Sequence, residues 1–505
     1  MRQGLRFALV LLCFFLSGFA ALIYQTAWTR EFAFVFGTSE LAIATVLASY
    51  MGGLAAGAAV ASRVVRAVRR PVLVYGLLEL GIALSALTVP FALRGVDALF
   101  VSLFRGSEVG ESGQLATAFF FLVSSFAILL VPTGLMGATL PMLTRYAVHR
   151  EEQIGTRVSA LYAINTFGAV LGALAAGFVL LPALGLRATL WVAVGANALV
   201  FGAAVWAARG SELVPAPEGA AFEASAARGR WILPLMLVSG AVSFSYEVMW
   251  SRLLGHLLGG SVYGFATMLA SFLAGIALGS AVAARFARDA VRAARAFVAA
   301  QLGTAGLSTL AFLALDRMPA LSDFVNDRGA DPLVADAAVA AATLLPAALC
   351  IGATFPLAVR VLARSEADAG PASARVYAWN TIGAIVGSIG TGFFLLPALK
   401  YQGLVTLAVC VNLVLALCAL AASAVPRALA AAIALAAVAG AALVLPPPTP
   451  WRLLRASAIS GESRGAIVYF GVGRSTTDSG RPFVRSRQPA PSCASSTVAL
   501  RPTPK

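Results

Sequence analysis

The sequence contains the same apolar architecture twice. SGFAALIYQTAWTR at residues 17–30 returns as SGAVSFSYEVMWSR at residues 239–252, 222 positions later. Two more motifs return 215 positions later, namely GATLP (137–141) as GATFP (352–356) and YAINTFGA (162–169) as YAWNTIGA (377–384). A repeat on this scale predicts that the chain folds into two similar halves, and that the two halves pack against each other.

Apolar composition places both halves in a membrane. The 505-residue chain is 60% hydrophobic and 12% charged, whereas soluble domains carry about 25% charged residues. Its apolar runs reach the length of about 20 residues that crosses the hydrocarbon core. We therefore expect an all-α polytopic protein in the lipid bilayer, with predicted spans at residues 5–27, 41–61, 71–93, 115–135, 160–181, 188–207, 231–250, 262–284, 296–315, 333–351, 377–399 and 403–422.

The net charge of +15 reflects topology and does not indicate a nucleic-acid partner. Arginines are concentrated in alternate loops. These arginines are Arg63, Arg66, Arg69, Arg70, Arg145, Arg150, Arg157, Arg285, Arg288, Arg292, Arg295, Arg360, Arg364 and Arg375. The positive-inside rule places these even-numbered loops and the amino terminus in the cytoplasm, which predicts a bacterial inner-membrane protein. Six spans per half make the repeat parallel about an axis normal to the membrane.

The chain divides at the repeat boundary. We expect a first six-helix repeat at residues 1–208, a Pro- and Ala-rich cytoplasmic linker at 209–230 and a second repeat at 231–424. Residues 428–445 could cross the bilayer as a thirteenth span, and 451–505 form a polar tail. The first span resembles a signal peptide, but its repeat partner lies in mid-chain, so we retain it as a span.

The repeated motifs resemble a known family. The paired Tyr24-Gln25 and Tyr246-Glu247 segments, the GATLP and GATFP elements and the YAxNTxGA segments are similar to the membrane domain of bacterial fused major-facilitator/spermidine-synthase-like proteins. The resemblance covers about residues 17–422. It implies a transporter-like membrane part followed by a soluble aminopropyltransferase domain that acts on putrescine with decarboxylated S-adenosylmethionine.

The sequence departs from that family in its tail. Residues 451–475 look like the entry to the synthase domain, with AIVYFGVG able to form its first strand, but residues 476–505 show no strand or helix signal. Neither the glycine-rich nucleotide turn nor the acidic pair of such enzymes follows. Five cysteines without ligand spacing and two histidines do not indicate a metal site. We therefore predict no catalytic residue, no cofactor and no aminopropyl transfer.

Two carboxylates lie within predicted spans and exchange places with amides in the repeat. Gln25 corresponds to Glu247, and Glu79 corresponds to Gln301. Ionisable groups inside spans are costly and mark functional sites. Glu79 is the strongest candidate for a proton or cation site, and the alternative is an interhelical hydrogen bond from a neutral carboxyl. For Glu247 we favour local pairing with Arg252.

Aromatic residues beside these positions allow two interpretations. Tyr24, Trp28, Tyr246 and Trp250 could surround an organic cation through cation–π contacts. Their predicted position near span ends is also typical of an interfacial aromatic belt, which we favour.

Helix interruptions and amides supply further candidates. The GATLP and GATFP segments indicate either a binding site at broken helices or helix ends with tight turns. Asn165 and Asn380 are predicted to hydrogen-bond between halves or to cap helices. Glycines with small-xxx-small spacing predict close helix packing, and these are Gly53, Gly57, Gly168, Gly172, Gly275, Gly279, Gly383 and Gly387.

The sequence thus leaves three functions open. The first is a carrier or membrane module for a small, polyamine-like cation. The second is an anchor or regulatory domain of an aminopropyltransferase whose catalytic domain is absent from this chain, and the third is a scaffold without substrate. The sequence does not indicate an oligomeric state.

Overall fold

The structure, a computed structural model, describes residues 3–36, 40–104, 111–209, 213–214, 229–258, 262–329, 331–423, 426–455, 469–472 and 477–480. Most of the predicted linker and most of the predicted polar tail lie outside the described residues.

Within its described residues, the first half consists of seven helices. They are α1 (Gln3–Phe36), α2 (Glu40–Val64), α3 (Pro71–Ala86), α4 (Val89–Phe104), α5 (Glu111–Ala147), α6 (Gln153–Leu174) and α7 (Leu181–Ala208). Short 3-10 and π-helical turns at Val65–Ala67 and Ala175–Leu180 extend α2 and α6. The helices α3 and α4 follow one another within one apolar segment.

The second half repeats this series. It comprises α8 (Ile232–Leu258), α9 (Val262–Ala283), α10 (Ala290–Ala314), α11 (Met318–Asn326), α12 (Pro332–Leu362), α13 (Glu366–Gly390) and α14 (Leu396–Ala422), with a 3-10 turn at Leu315–Arg317 and a π-helical turn at Thr391–Leu395. After the repeat come α15 (Arg427–Val444), α16 (Trp451–Arg455) and two strands, β1 (Tyr469–Val472) and β2 (Thr477–Gly480).

The described chain contains ten apolar helical segments, and they give twelve spans because two of them are long enough to cross twice. Two of these segments contain 56 and 57 residues, about twice the length that one crossing needs. Each is broken at one non-helical residue, Gly185 with φ 73° and Lys400 with φ 56°. Because Gly185 lacks a Cβ, it adopts this left-handed conformation without the penalty that Lys400 bears. The predicted all-α polytopic fold class is confirmed.

The helix pairs of one half recur in the other. In the first half α1 packs against α6 and α7, α2 against α5, and α3 against α5 and α7; in the second half α8 packs against α13 and α14, α9 against α12, and α10 against α12 and α14. The pairs α2 with α13 and α6 with α9 join the halves. The pairing supports the predicted six-plus-six organisation of the chain.

Glycine makes the closest of these crossings possible. A Cβ at Gly57 of α2 would lie 1.8 Å from the carbonyl oxygen of Gly134 in α5, and a Cβ at Gly279 of α9 would lie 1.8 Å from that of Leu349 in α12. Atoms this close overlap, so any side chain would force the two backbones apart. The predicted packing role of the small-xxx-small glycines agrees with this geometry.

The helix α15 runs alongside α14 and returns the chain from the end of α14 to its start. It begins just after the end of α14, yet Thr449 beyond it accepts a hydrogen bond from Gln402 near the start of α14. Asp316, after α10, accepts from the backbone N–H groups of Arg452 (2.8 Å) and Leu453 (3.3 Å). At 18 residues, α15 is about 27 Å long, which is sufficient for a thirteenth crossing.

The tail contains one more strand than predicted. Tyr469–Val472 forms β1, as expected from its apolar sequence, and pairs antiparallel with Thr477–Gly480. The expectation that residues from 476 onward lack a strand is therefore wrong for these four. Backbone hydrogen bonds to β1 stabilise this polar segment despite its weak intrinsic strand preference.

Candidate functional site

The two halves share one hydrophobic core on the side where the arginines lie. We call this the arginine-rich side; it contains Arg66, Arg145 and Arg360 at or near the ends of α2, α5 and α12. One buried cluster there combines first-half residues such as Val10 and Leu143 with second-half residues from α8, α10 and α12. The halves are packed together on this side.

On the opposite side the described residues form two separate cores. One lies within the first half and includes Phe32, Tyr50 and Leu93. The other lies within the second half and includes Leu258 and Leu315. Tyr377 of α13 packs against the edge of the first-half core from across the boundary. We call the boundary between the two halves the cleft. The shared core closes it on the arginine-rich side; on the other side each half has its own core, and Phe178 of the first half contacts Tyr263 of the second with ring centroids 5.2 Å apart.

Two ion pairs cross between the halves on the closed side. Arg66 after α2 lies 3.0 Å from Asp368 in α13, and Arg360 in α12 lies 2.8 Å from Glu151 before α6. Arg360 is buried and also donates to the carbonyl oxygen of Ala363, whereas Glu151 is 54% exposed. Each pair thus joins an element of one half to an element of the other.

Aromatic rings from both repeated motifs meet at the closed end of the cleft. Tyr162 of α6 stacks on Phe355 of α12 with ring centroids 4.4 Å apart, and Tyr377 of α13 meets the same ring edge-on at 6.1 Å. Tyr162 and Tyr377 are pseudo-equivalent, because each begins a YAxNTxGA motif.

Sequence reasoning did not single out this aromatic group. The available signal was that Tyr162 and Tyr377 recur at one offset and that Phe355 lies inside the repeated GATFP motif. Their shared contact depends on the approach of α6, α12 and α13, which periodicity along one helix does not reveal.

Glu247 is half-buried. It lies in the middle of α8 and remains partly accessible. Gln25, its counterpart on α1, is also partly accessible. An ionisable side chain at such a depth is expected to face a polar cavity and not lipid. Arg252 follows five residues later, about 140° around the helix, so helical geometry does not favour the predicted pairing with Glu247.

Glu79 lies instead inside the first half. It is fully buried in α3, and Asn197 of α7 donates to its Oε2 atom at 2.5 Å. The hydroxyls of Ser17 and Tyr75 lie close to the carboxyl group. Among the described residues, Glu79 Oε1 and Asn197 Oδ1 have no hydrogen-bond partner. A proton on the carboxyl would supply a donor, so this geometry supports the predicted interhelical hydrogen bond more than substrate contact.

The second half holds the matching polar group with different partners. Gln301 of α10 donates to the hydroxyl of Ser239 in α8 at 3.0 Å. Asn412 of α14, the counterpart of Asn197, donates to Tyr246 at 3.1 Å. Both groups connect three helices inside one half, and Glu79 and Gln301 are both buried.

The aromatic-belt prediction is wrong. Tyr24, Trp28, Tyr246 and Trp250 are buried in the cores of their halves, with at most 2% of each residue exposed. Tyr24 stacks on Trp28 with centroids 5.0 Å apart. The position of a residue near the end of a hydropathy peak does not give its depth, because α1 and α8 extend beyond the predicted spans.

The predicted turns at GATLP and GATFP are also wrong. The helices α5 and α12 continue past both motifs to Ala147 and Leu362. A Cβ at Gly137 would lie 2.1 Å from the carbonyl oxygen of Leu54, and one at Gly352 would lie 2.2 Å from that of Ile276. The motif glycines therefore permit close helix packing.

Asn165 acts within its own half. Its side chain donates to the carbonyl oxygen of Phe14 in α1 at 2.9 Å, from the middle of α6. The backbone carbonyl of Asn380 lies against Gly240 of α8, as that of Asn165 lies against Gly18 of α1. Neither residue lies at a helix end, and Asn165 bonds within the first half, so the capping and inter-half predictions are wrong for it.

The fold is similar to those of solved transporters. A bacterial homologue of the iron transporter ferroportin in an outward-facing state shares 15% identity, with a TM-score of 0.53 over 83% of this chain and 99% of that one. A bacterial ferroportin homologue with soaked iron gives 0.55 at 14% identity over 84% and 100%. The Escherichia coli fucose:proton symporter FucP gives 0.51 at 14% identity over 83% and 98%.

No family model and no curated protein matches the sequence. The structural likeness therefore concerns architecture. The chain is a multi-pass integral membrane protein with a fold like those of the ferroportin homologue and the fucose:proton symporter.

Proposed function

We propose that this protein is a secondary transporter in which a small substrate enters the cleft and the two halves rock about it. The observation that carries the proposal is the distribution of the core, which is shared on the arginine-rich side and divided on the other. The structural similarity to a fucose:proton symporter and to a homologue of an iron transporter in an outward-facing state supports the same class.

The closed end is suited to reversible opening. The ion pair between Arg66 and Asp368 remains partly exposed, and pairs of this kind contribute about 0–1 kcal/mol. Tyr162 and Tyr377 contact Phe355 without a hydrogen bond among the described residues. Together with the Arg360–Glu151 pair and the shared core, these contacts hold the halves together, and all of them separate when the closed end opens.

The substrate we favour is a small organic cation of the polyamine type. Glu247 is a half-buried acidic side chain in the middle of α8, and the half-buried rings of Tyr162 and Tyr377 at the closed end are suitable for cation–π contact. The resemblance to the spermidine-synthase fusions supports the same substrate class. A membrane anchor without transport is the alternative, and it predicts no uptake by the purified protein.

A disulfide lock tests the rocking of the halves. A cysteine at Gly370 of α13 would place its Cβ 3.3 Å from the Cβ of Arg145 in α5, near the distance of about 3.5–4.5 Å found in disulfides. In a variant with the native cysteines replaced, oxidised Arg145→Cys/Gly370→Cys should not take up radiolabelled spermidine into proteoliposomes. Reduction should restore uptake to the level of the Arg145→Cys single variant. Equal uptake by the crosslinked and reduced forms would refute the proposal.

Charge exchange tests the substrate class. Glu247→Gln should lower spermidine uptake roughly 10- to 100-fold, because a charge-assisted contact of about 1.5–3 kcal/mol is lost. The double variant Gln25→Glu/Glu247→Gln moves the carboxylate to the pseudo-equivalent position and should recover part of the uptake. Glu152→Gln, at an exposed position on the arginine-rich side, is the matched control. Unchanged uptake in Glu247→Gln would exclude Glu247 as the cation site.

A further inference from the structure

Two π-helical turns lie at equivalent positions of the repeat, at the ends of α6 and α13. They span Ala175–Leu180 in the first half and Thr391–Leu395 in the second, and Ala176 and Thr391 correspond at the offset of 215 residues. Such turns are rare, are frequent at functional sites and are places where helices bend. Both lie opposite the arginine-rich side, on what we call the divided side because each half has its own core there.

The segments that follow these turns differ in backbone freedom. We call residues 175–185 the first-half tip and residues 391–400 the second-half tip. Each tip runs from its π-helical turn to a residue with positive φ, which is Gly185 in the first half (73°) and Lys400 in the second (56°). Glycine adopts a positive φ at little cost, whereas a lysine is strained there and keeps this conformation only where its surroundings hold it. The backbone of the first-half tip is therefore the freer of the two.

A hydrogen bond fixes the second-half tip to its own half. Thr391 donates to the hydroxyl of Ser245 in α8 at 2.7 Å, and both side chains are buried. Hydrogen bonds of this kind hold neighbouring helices together within a membrane. The corresponding residues of the first half are Ala176 and Ile23, whose side chains have no polar atoms. The first half therefore cannot form this bond between its tip and α1.

An aromatic contact links the first-half tip to the other half. Phe178 lies in the π-helical turn that follows α6, and its ring centroid is 5.2 Å from that of Tyr263 at the start of α9. Tyr263 is 41% exposed, and Phe178 is half-buried. Ring pairs at this distance attract each other, but one such pair is weak compared with a packed core. The tip with the freer backbone thus carries the ring that contacts the other half.

We propose that Phe178 and Tyr263 form an aromatic gate on the divided side of the cleft and that the first-half tip is its moving part. When the helix bends at its π-helical turn, Phe178 leaves Tyr263 and the divided side opens to solvent. The second-half tip stays fixed to α8 by the hydrogen bond between Thr391 and Ser245. This inference rests on the proposed function, because it names the gate through which the substrate would enter the cleft.

Distances between spin labels test the moving tip. In protein whose native cysteines are replaced, one label pair joins Ala183→Cys in the tip to Asp327→Cys in the second half, and another joins Asp97→Cys in α4 to Asp327→Cys; all three positions are exposed. Double electron–electron resonance in lipid nanodiscs gives the distance distribution of each pair. Phe178→Ala should raise the population of longer distances in the Ala183 pair about two- to tenfold, because the aromatic contact is lost. The Asp97 pair should change less, because α4 packs against α5 and α1 of the first half.

A control on the same helix and a transplanted hydrogen bond sharpen the test. Phe167→Ala removes a ring of α6 that contacts Phe15 of its own half at 6.1 Å, and it should leave both distributions as in the wild type. Ile23→Ser/Ala176→Thr places the hydroxyl pair of the second half in the first half. It should fix the tip, so that adding Phe178→Ala no longer raises the population of longer distances.

Three outcomes separate the gate from transport itself. An unchanged Ala183 pair in Phe178→Ala would overturn the gate. Equal changes in the Ala183 and Asp97 pairs would show that the halves move as rigid bodies, and would overturn the moving tip. The distances are measured without substrate, so an absence of spermidine uptake by the wild-type protein would refute the proposed function while the distances still decide whether the tip moves.

Discussion

The two halves have polar side chains at the same two positions, but the carboxyl and amide groups are exchanged between them. In the first half the carboxylate, Glu79, is sealed between helices and its counterpart Gln301 occupies the equivalent buried position. At the other exchanged pair, Glu247 of the second half and Gln25 of the first are both half-buried. The repeat therefore maintains polar positions while the charge differs. In the proposed transporter, a cationic substrate would meet the carboxylate on the second-half side of the cleft.

Side-specific cysteine labelling gives the largest expected difference, because each cysteine either reacts with the reagent from a given side of the membrane or does not react at all. Cysteines at Arg66 and Arg292, one in each half, should react with a membrane-impermeant maleimide from one side only. Cysteines at Asp327 and Arg452 should react from the other side. If the cysteines at Arg66 and Arg292 react from opposite sides, the two halves have opposite orientations in the membrane and the repeat is not parallel. Reaction of the Arg452 position from the Arg66 side would show that α15 does not cross the membrane.

Glycine substitution should damage both halves alike. Gly57→Ala and Gly279→Ala each place a methyl carbon 1.8 Å from a carbonyl oxygen of the neighbouring helix. Overpacking of this kind costs about 1–3 kcal/mol or more, so we expect a lower melting temperature and yield in detergent. Gly195→Ala and Gly202→Ala, where no other atom lies within 4 Å, are the controls. A loss confined to one half would break the structural equivalence.

The smallest expected difference in melting temperature is that between variants of the two buried polar groups, Glu79 with Asn197 and Tyr246 with Asn412. Asn197→Leu removes a donor from Glu79, whereas Asn412→Leu removes one from the tyrosine hydroxyl of Tyr246. An unsatisfied buried group costs about 1–3 kcal/mol, and more when charged. Because the geometry supports a neutral Glu79 carboxyl, Asn197→Leu and Asn412→Leu should lower the melting temperature by similar amounts. A larger loss in Asn197→Leu that Glu79→Gln reduces would show that Glu79 is charged.

Prediction from the sequence succeeded where a property belongs to one helix. Apolar length and the repeat predicted the membrane class, and the glycine spacing predicted close packing. It failed for Tyr24 and Trp28, whose depth depends on the helices around α1, and for the GATLP motif, where α5 continues through Pro141.

The sequence by itself determined the membrane class, the repeat and the arginine-rich side, because hydrophobic length, internal similarity and charge distribution are properties of local segments. The tertiary structure decided which polar groups meet. Glu79 and Asn197 lie 118 positions apart, and Tyr162 reaches Phe355 from the other half. Such contacts depend on how α3, α6, α7 and α12 cross, and no periodicity within a single helix contains that information.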